Sequence, residues 1–252
     1  MYRLPMLENV PGLQHVFSTV RDGDLGFGRE DDARISENRR RFGERAFGAF
    51  DLGEAVALVP MRPGYEETIA LVTPEDRGRG MKLRNDGIFC EAAITATETF
   101  FLAAADCYPI FVVDHKRWVL ALIHASREST VREIPRKTVE AMASLYGSEP
   151  PNLWIGIGPG IRAASYEVVG FSHAGDQRWK KFVKPSGRPN AHFVDLLGYI
   201  GKLFTDLAIP QDHIAICPAD TFRSPRFFSH RRAKAADETD RRHAVIVRMV
   251  RP

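Results

Sequence analysis

The sequence predicts an α+β fold built on mixed sheets, and two observations carry the prediction. Apolar runs of strand length, among them YPIFVVD, WVLALIH and HAVIVRMV, recur along the chain. The helical stretches between them do not alternate with strands one for one, as a doubly wound parallel sheet would require. With 252 residues, 44% hydrophobic and 27% charged, the chain has material for one sizeable core. No internal repeat or low-complexity tract divides it, so residues 1–252 are expected to form one domain.

Each element follows from local pattern. His15 to Val20 reads as a strand, and RDGDLGFG after it is rich in turn-formers. Asp31 to Phe47 reads as a polar helix, and residues 55–60 and 67–72 as short strands joined by a loop or hairpin around RPG. EDRGRGMKLRND is a charged loop. KTVEAMASLYG has helical spacing, with Pro135 in its first turn and Gly147 at its end. LWIGIGPG is a buried strand entering a glycine turn, and YEVVGFSHAGDQRWKKF is expected to be a helix. VDLLGYIGKLFTDLAI is a further helix, and HIAICP and HAVIVRMV close the chain as strands.

Composition narrows the function. A net charge of +3 falls short of what phosphate-backbone binding demands, so nucleic acid is not the expected partner. Phe222, Phe227 and Phe228 are better explained as core than as stacking platforms for bases. Three scattered cysteines suit a reducing, cytoplasmic setting, and neither a signal peptide nor a membrane span is expected.

Residues 103–130, AAADCYPIFVVDHKRWVLALIHASREST, place Cys107 and His124 at the two ends of a predicted β-hairpin. If His115 and Lys116 form a two-residue loop, Cys107 lies directly opposite His124, with Cβ atoms roughly 5 Å apart. A three-residue loop would shift the pairing by one and send them to opposite faces. A thiolate and a neutral imidazole can hold zinc if a third ligand joins them, or can act as nucleophile and base. They can equally be a packed cysteine and a histidine bonded to a carbonyl.

Several segments together resemble the laccase-domain family, the YfiH-like proteins labelled polyphenol oxidase. AADCYPIFVVD is similar to its TADC-x-P strand, LIHASREST to its HAGWRGT segment, GPGIRAASYEVVG to its glycine turn and FFSHRR to its FFSYRR. ISENRRRF and HVFSTVRDG fit its N-terminal pattern. The resemblance implies an α/β/β/α sandwich, shared with the catalytic domain of the cytotoxic necrotizing factors, which are Cys/His deamidases. It also implies zinc held by one cysteine and two histidines, and phosphorolysis of purine nucleosides such as adenosine and inosine, with some adenosine deamination. Nucleoside and phosphate would then be the partners. Copper oxidation is not expected, because the eight histidines include no His-x-His pair.

Departures from the family pattern leave the chemistry open. Cys107 and His124 match two zinc ligands, but the family's QVHG motif reads PMRPG here, with Arg62 or Pro63 at the ligand position. His230, which replaces the tyrosine of FFSYRR, is the candidate third ligand, ahead of Cys90. Arg127 and Glu128 stand where the family has tryptophan and arginine. Ala164 and Ser165 replace paired cysteines, and Asp220 replaces another. Three readings follow: a rebuilt zinc site in Cys107, His124 and His230; a metal-free nucleophile and base; or a member that binds a ligand or partner without turnover. Among cations, Arg231 and Arg127 are assigned to the catalytic site, and Arg232 and Arg241 to substrate, since arginine suits phosphate. Gly158 and Gly160 could offer backbone N–H groups to an anion, and Tyr166 matches the family's YEV. The alternatives are a solvated basic face and an ordinary turn.

Overall fold

The long apolar runs become two mixed sheets packed face to face. In the computed structural model, which describes residues 1–27, 33–48, 51–59, 69–81 and 87–251, strands are numbered in chain order. One sheet runs β1 (Leu13–Phe17), β14 (His243–Met249), β6 (Phe100–Ala104), β2 (Val56–Val59) and β4 (Ile88–Phe89). The other runs β13 (Ile214–Ile216), β9 (Trp154–Ile157), β7 (Tyr108–Asp114), β8 (Val119–Ala125), β5 (Ala92–Thr95) and β3 (Ile69–Leu71). Both sheets contain parallel and antiparallel pairs. A small third sheet joins β10 (Glu167–Val169), β12 (Ala191–Val194) and β11 (Val183–Pro185).

Period-2 alternation sorts the side chains into layers. Val245 and Val247 of β14 meet Phe111, Val113, Leu120 and Leu122 of β7 and β8 between the sheets. Their alternates Ala244 and Ile246 pack outward with Phe42 and Ala46 of helix α1 (Ala33–Phe47). On the far side, Ile110, Val112, Ala121 and Ile123 pack with Val131 of α2 (Arg127–Val131), Met142 of α3 (Ile134–Tyr146) and Ile200 and Phe204 of α4 (Leu196–Asp206). The layer order is therefore helix, sheet, sheet, helix, as the resemblance implies. Strands buried on both faces need continuous apolar runs, which explains why YPIFVVD and WVLALIH show no polar alternation. The sheets also demand small residues at close approaches: a Cβ on Gly156 of β9 would lie 2.1 Å from the Phe111 ring.

Local signals place the helix ends. Pro135 lies in the first turn of α3, and Gly147 closes it with φ 66°, a left-handed cap. Asp195 caps α4 by accepting from Gly198 N at 2.9 Å. Arg39 of α1 is buried and donates to the carbonyls of Leu25, Gly26 and Met81, at 3.2, 2.7 and 3.0 Å. It thereby hangs residues 24–27 from the helix.

Two expectations are corrected and a third is narrowed. The hairpin β7–β8 has a four-residue loop, His115–Trp118, so Pro109 and not Cys107 stands opposite His124. Asp114 Oδ1 accepts from Lys116 N and Arg117 N and stabilises this longer turn, which a His-Lys pair could not make in two residues. Residues 166–182 are not a helix: β-branched Val168 and Val169 enter β10, Gly170 turns with φ 68°, and only a short 3₁₀ turn, Gln177–Trp179, follows. The strands near 55–60 and 67–72 do not pair with each other, because β2 lies beside β6 and β4, and β3 beside β5. The segment between them, 60–68, lies outside the described residues, and with it Arg62 and Pro63.

Candidate active site

The open end of the β7–β8 hairpin brings Cys107 and His124 together despite the altered register. A shift of two residues preserves the face, so Cys107 becomes the diagonal neighbour of His124. Asp106 just before it takes φ 78°, a left-handed conformation unusual for a residue with a side chain. The bend leaves Cys107 close enough to His124 to influence its ionisation, and both line one cavity. Cys107 remains partly exposed, whereas Cys90 and Cys217 are buried.

A third group orients the imidazole. β5 pairs with β8 through Ala92 and Ile123, which puts Glu91 beside His124. The His124 backbone N–H donates to the Glu91 carbonyl at 2.8 Å, and Nδ1 lies 3.2 Å from Glu91 Oε2. Arg132 approaches the other carboxylate oxygen at 3.6 Å. With Nδ1 committed to Glu91, the second ring nitrogen is the one available to Cys107. Burial alone would lower the His124 pKa, but the interactions with Cys107 and Glu91 outweigh it and push it up to about 10. Its two neighbours thus favour the charged form of the ring.

Cations gather on another side of Cys107. Tyr166 is pushed up to about 12, chiefly by burial, while Arg127 and Arg231 oppose the rise and Cys107 adds to it, so all four groups share one neighbourhood. The Arg231 guanidinium carbon sits 4.9 Å from the Tyr166 ring centroid, with NH1 donating to the Glu167 carbonyl at 2.6 Å. Arg127 donates through Nε and NH2 to Glu128 at 2.8 and 2.6 Å. Arg232 instead donates to the carbonyls of Thr221, Phe222, Ser224 and Phe227, tying down the segment before helix α5 (His230–Ala235). Arg241 is exposed, 5.1 Å from the Phe228 ring centroid. The glycine turn serves packing, for a Cβ on Gly158 would lie 2.3 Å from Phe17 and one on Gly160 2.3 Å from Tyr108. Two departures from the family pattern are partners here: Ser165 Oγ donates to Asp220 Oδ2 at 2.6 Å.

A cavity of about 460 Å³ opens on Cys107 and His124, within the range of small-molecule sites. Asp24, Phe27, Arg242 and His230 also line it. His230 therefore shares the cavity with the other two candidate ligands, but its Nδ1 pairs with Asp240 at 2.8 Å, and Arg242 donates to the same carboxylate at 2.7 Å. Among the described residues, no group of three or more His, Cys, Asp or Glu is arranged to hold a metal. Cys107 and His124 supply two donors where a zinc centre takes at least three from the protein, so the described residues do not complete one. Among them, too, no helix is long and apolar enough to cross a membrane.

The layered fold is that of known structures. YfiH from Bacillus licheniformis superposes with a TM-score of 0.80 at 22% identity, covering 94% of this chain and 93% of that one. YlmD from Geobacillus stearothermophilus gives 0.78 at 23%, over 96% and 93%. The family model described as "Multi-copper polyphenol oxidoreductase laccase" matches residues 16–249, and the chain belongs to that laccase-domain family. Despite the copper in that description, similar proteins carry phosphorylase names. A purine nucleoside phosphorylase of Deinococcus radiodurans is 32% identical over 186 residues, 66% of this chain and 64% of that protein. Purine nucleoside phosphorylase YlmD of Bacillus subtilis is 32% identical over 107 residues, 41% and 38% respectively. In both, the match spans less than two thirds of the relative's length.

Proposed function

We propose that this protein cleaves purine nucleosides by phosphorolysis at a metal-free centre in which Cys107, His124 and Glu91 act together. One observation carries the reading: Cys107 sits where a nucleoside-sized cavity meets the cations Arg127 and Arg231, which flank Tyr166. The names of the relatives support the substrate class. Phosphate is held by Arg231, whose position over Tyr166 leaves a planar guanidinium beside the thiol, and by Arg127 once it exchanges Glu128 for the dianion. Nucleoside occupies the cavity between Phe27 and Arg242. A phosphate oxygen forms a bond to the ribosyl C1′ as the C1′–N9 bond breaks. The electron pair leaves with the purine, and the His124–Cys107 couple supplies the proton that neutralises it.

The test is to incubate the whole chain with inosine or adenosine, with and without inorganic phosphate, and to quantify free base and ribose 1-phosphate. Base release that requires phosphate, survives chelators and is lost in Cys107→Ala is the expected result. Failure to release base, or activity that appears only with added zinc, would overturn it. A second reading has its own observation: a thiol, a base and an orienting carboxylate in line are also the parts of a covalent cysteine hydrolase. That reading predicts turnover without phosphate.

A further inference from the structure

We infer that Asp106 is the positioning residue of this centre, setting the place of the Cys107 thiol and of Arg231 through one buried carboxylate. The inference rests on the proposal that Cys107 and His124 are the working pair. Asp106 holds φ 78°, a left-handed conformation that a residue with a Cβ adopts only at a cost. Such an outlier persists where its surroundings overdetermine it, and here three segments do so. Thr221 Oγ1 donates to Oδ1 at 2.6 Å, Arg231 N donates to Oδ2 at 2.8 Å, and Ile161 N donates to the Asp106 carbonyl at 2.9 Å. The residue is 7% exposed, so these partners take the place of solvent.

The consequences reach both halves of the centre. Because the left-handed turn immediately precedes Cys107, it sets the direction in which the thiol leaves β7 toward His124. Because the carboxylate also receives the Arg231 backbone N–H, the same group fixes where that arginine starts. Asparagine tolerates the left-handed backbone and matches the shape, but its amide offers an N–H to a donor. Asp106→Asn therefore keeps the turn but removes the buried charge and forces the Thr221 hydroxyl to reverse and accept from the amide.

Cys107 is the partly exposed thiol, so iodoacetamide reports on it without turnover. The expected result for Asp106→Asn is an alkylation rate about tenfold lower at neutral pH, with the His124 titration followed by NMR moving toward lower pH. Thr221→Val removes a single donor and should act in the same direction more weakly, which keeps the test open if Asp106→Asn does not fold. Folded variants whose alkylation rate and His124 titration match the wild type would overturn the inference. Loss of the Cys107-dependent phosphorolysis reading would appear separately, as turnover unaffected by Cys107→Ala.

Discussion

His124 and His243 are both buried strand residues, yet their environments drive them to opposite charge states. His243 is enclosed by Phe227 and the backbone of Pro159 and Phe228, and neither ring nitrogen makes a well-formed hydrogen bond with a described residue. Burial lowers its pKa to about 4, with Arg242 adding to the effect. His124 meets Glu91 and Cys107 and rises to about 10. Burial therefore does not mark a site on its own; paired opposite charge inside a cavity does.

The contrast can be broken from the His124 side first. Cys107→Ala should lower turnover by about 10³-fold or more, since residues acting as one unit fail together. Glu91→Gln should lower it by about 10²-fold and bring the His124 titration down, as NMR of labelled histidine would show. If Glu91→Gln leaves that titration in place, the carboxylate is not what holds the charge.

Stability against pH sharpens the comparison. His124 has its pKa raised from 6.5 to about 10, so its contribution is complete below 6.5 and is lost as pH rises through about 10. His243 and His15, both lowered from 6.5 to about 4, contribute above 6.5 and lose that contribution as pH falls toward 4. Calorimetry should show the melting temperature falling by several degrees between pH 6.5 and 4. His243→Leu should flatten that acid limb, while Cys107→Ala should flatten the alkaline one. The smallest effect is expected at Arg241, exposed over Phe228: Arg241→Ala should change stability by less than about 0.5 kcal/mol and turnover by less than about threefold. A large rise in the KM for phosphate would instead return Arg241 to the substrate.

Cys107 and His124 were legible because alternation along two adjacent strands is a local property, and even a wrong loop length kept them on one face. Glu91 was not, although a lone acid in the apolar run GIFCEAAIT was visible. Its role depends on the pairing of β5 with β8, a contact between segments about thirty residues apart that no local pattern specifies. Residues 166–182 misled for a related reason: spacing alone suggested a helix, while the partners of Val168 and Val169 lay in β12. His230 was placed in the right cavity from its motif, but its bond to Asp240 reflects a fold-back of ten residues outside that motif.

The four-residue turn His115–Trp118 carries an implication for anyone rebuilding this hairpin. Strand side chains repeat every two residues, so turn length acts on the centre through its parity. With the sequence unchanged, closing a two-residue turn on Asp114 and Arg117 would carry Cys107 onto the rung directly across from His124. Closing a three-residue turn on Asp114 and Trp118 would instead pair Cys107 with Ala125 and turn the thiol to the face opposite His124, with every residue unchanged in sequence.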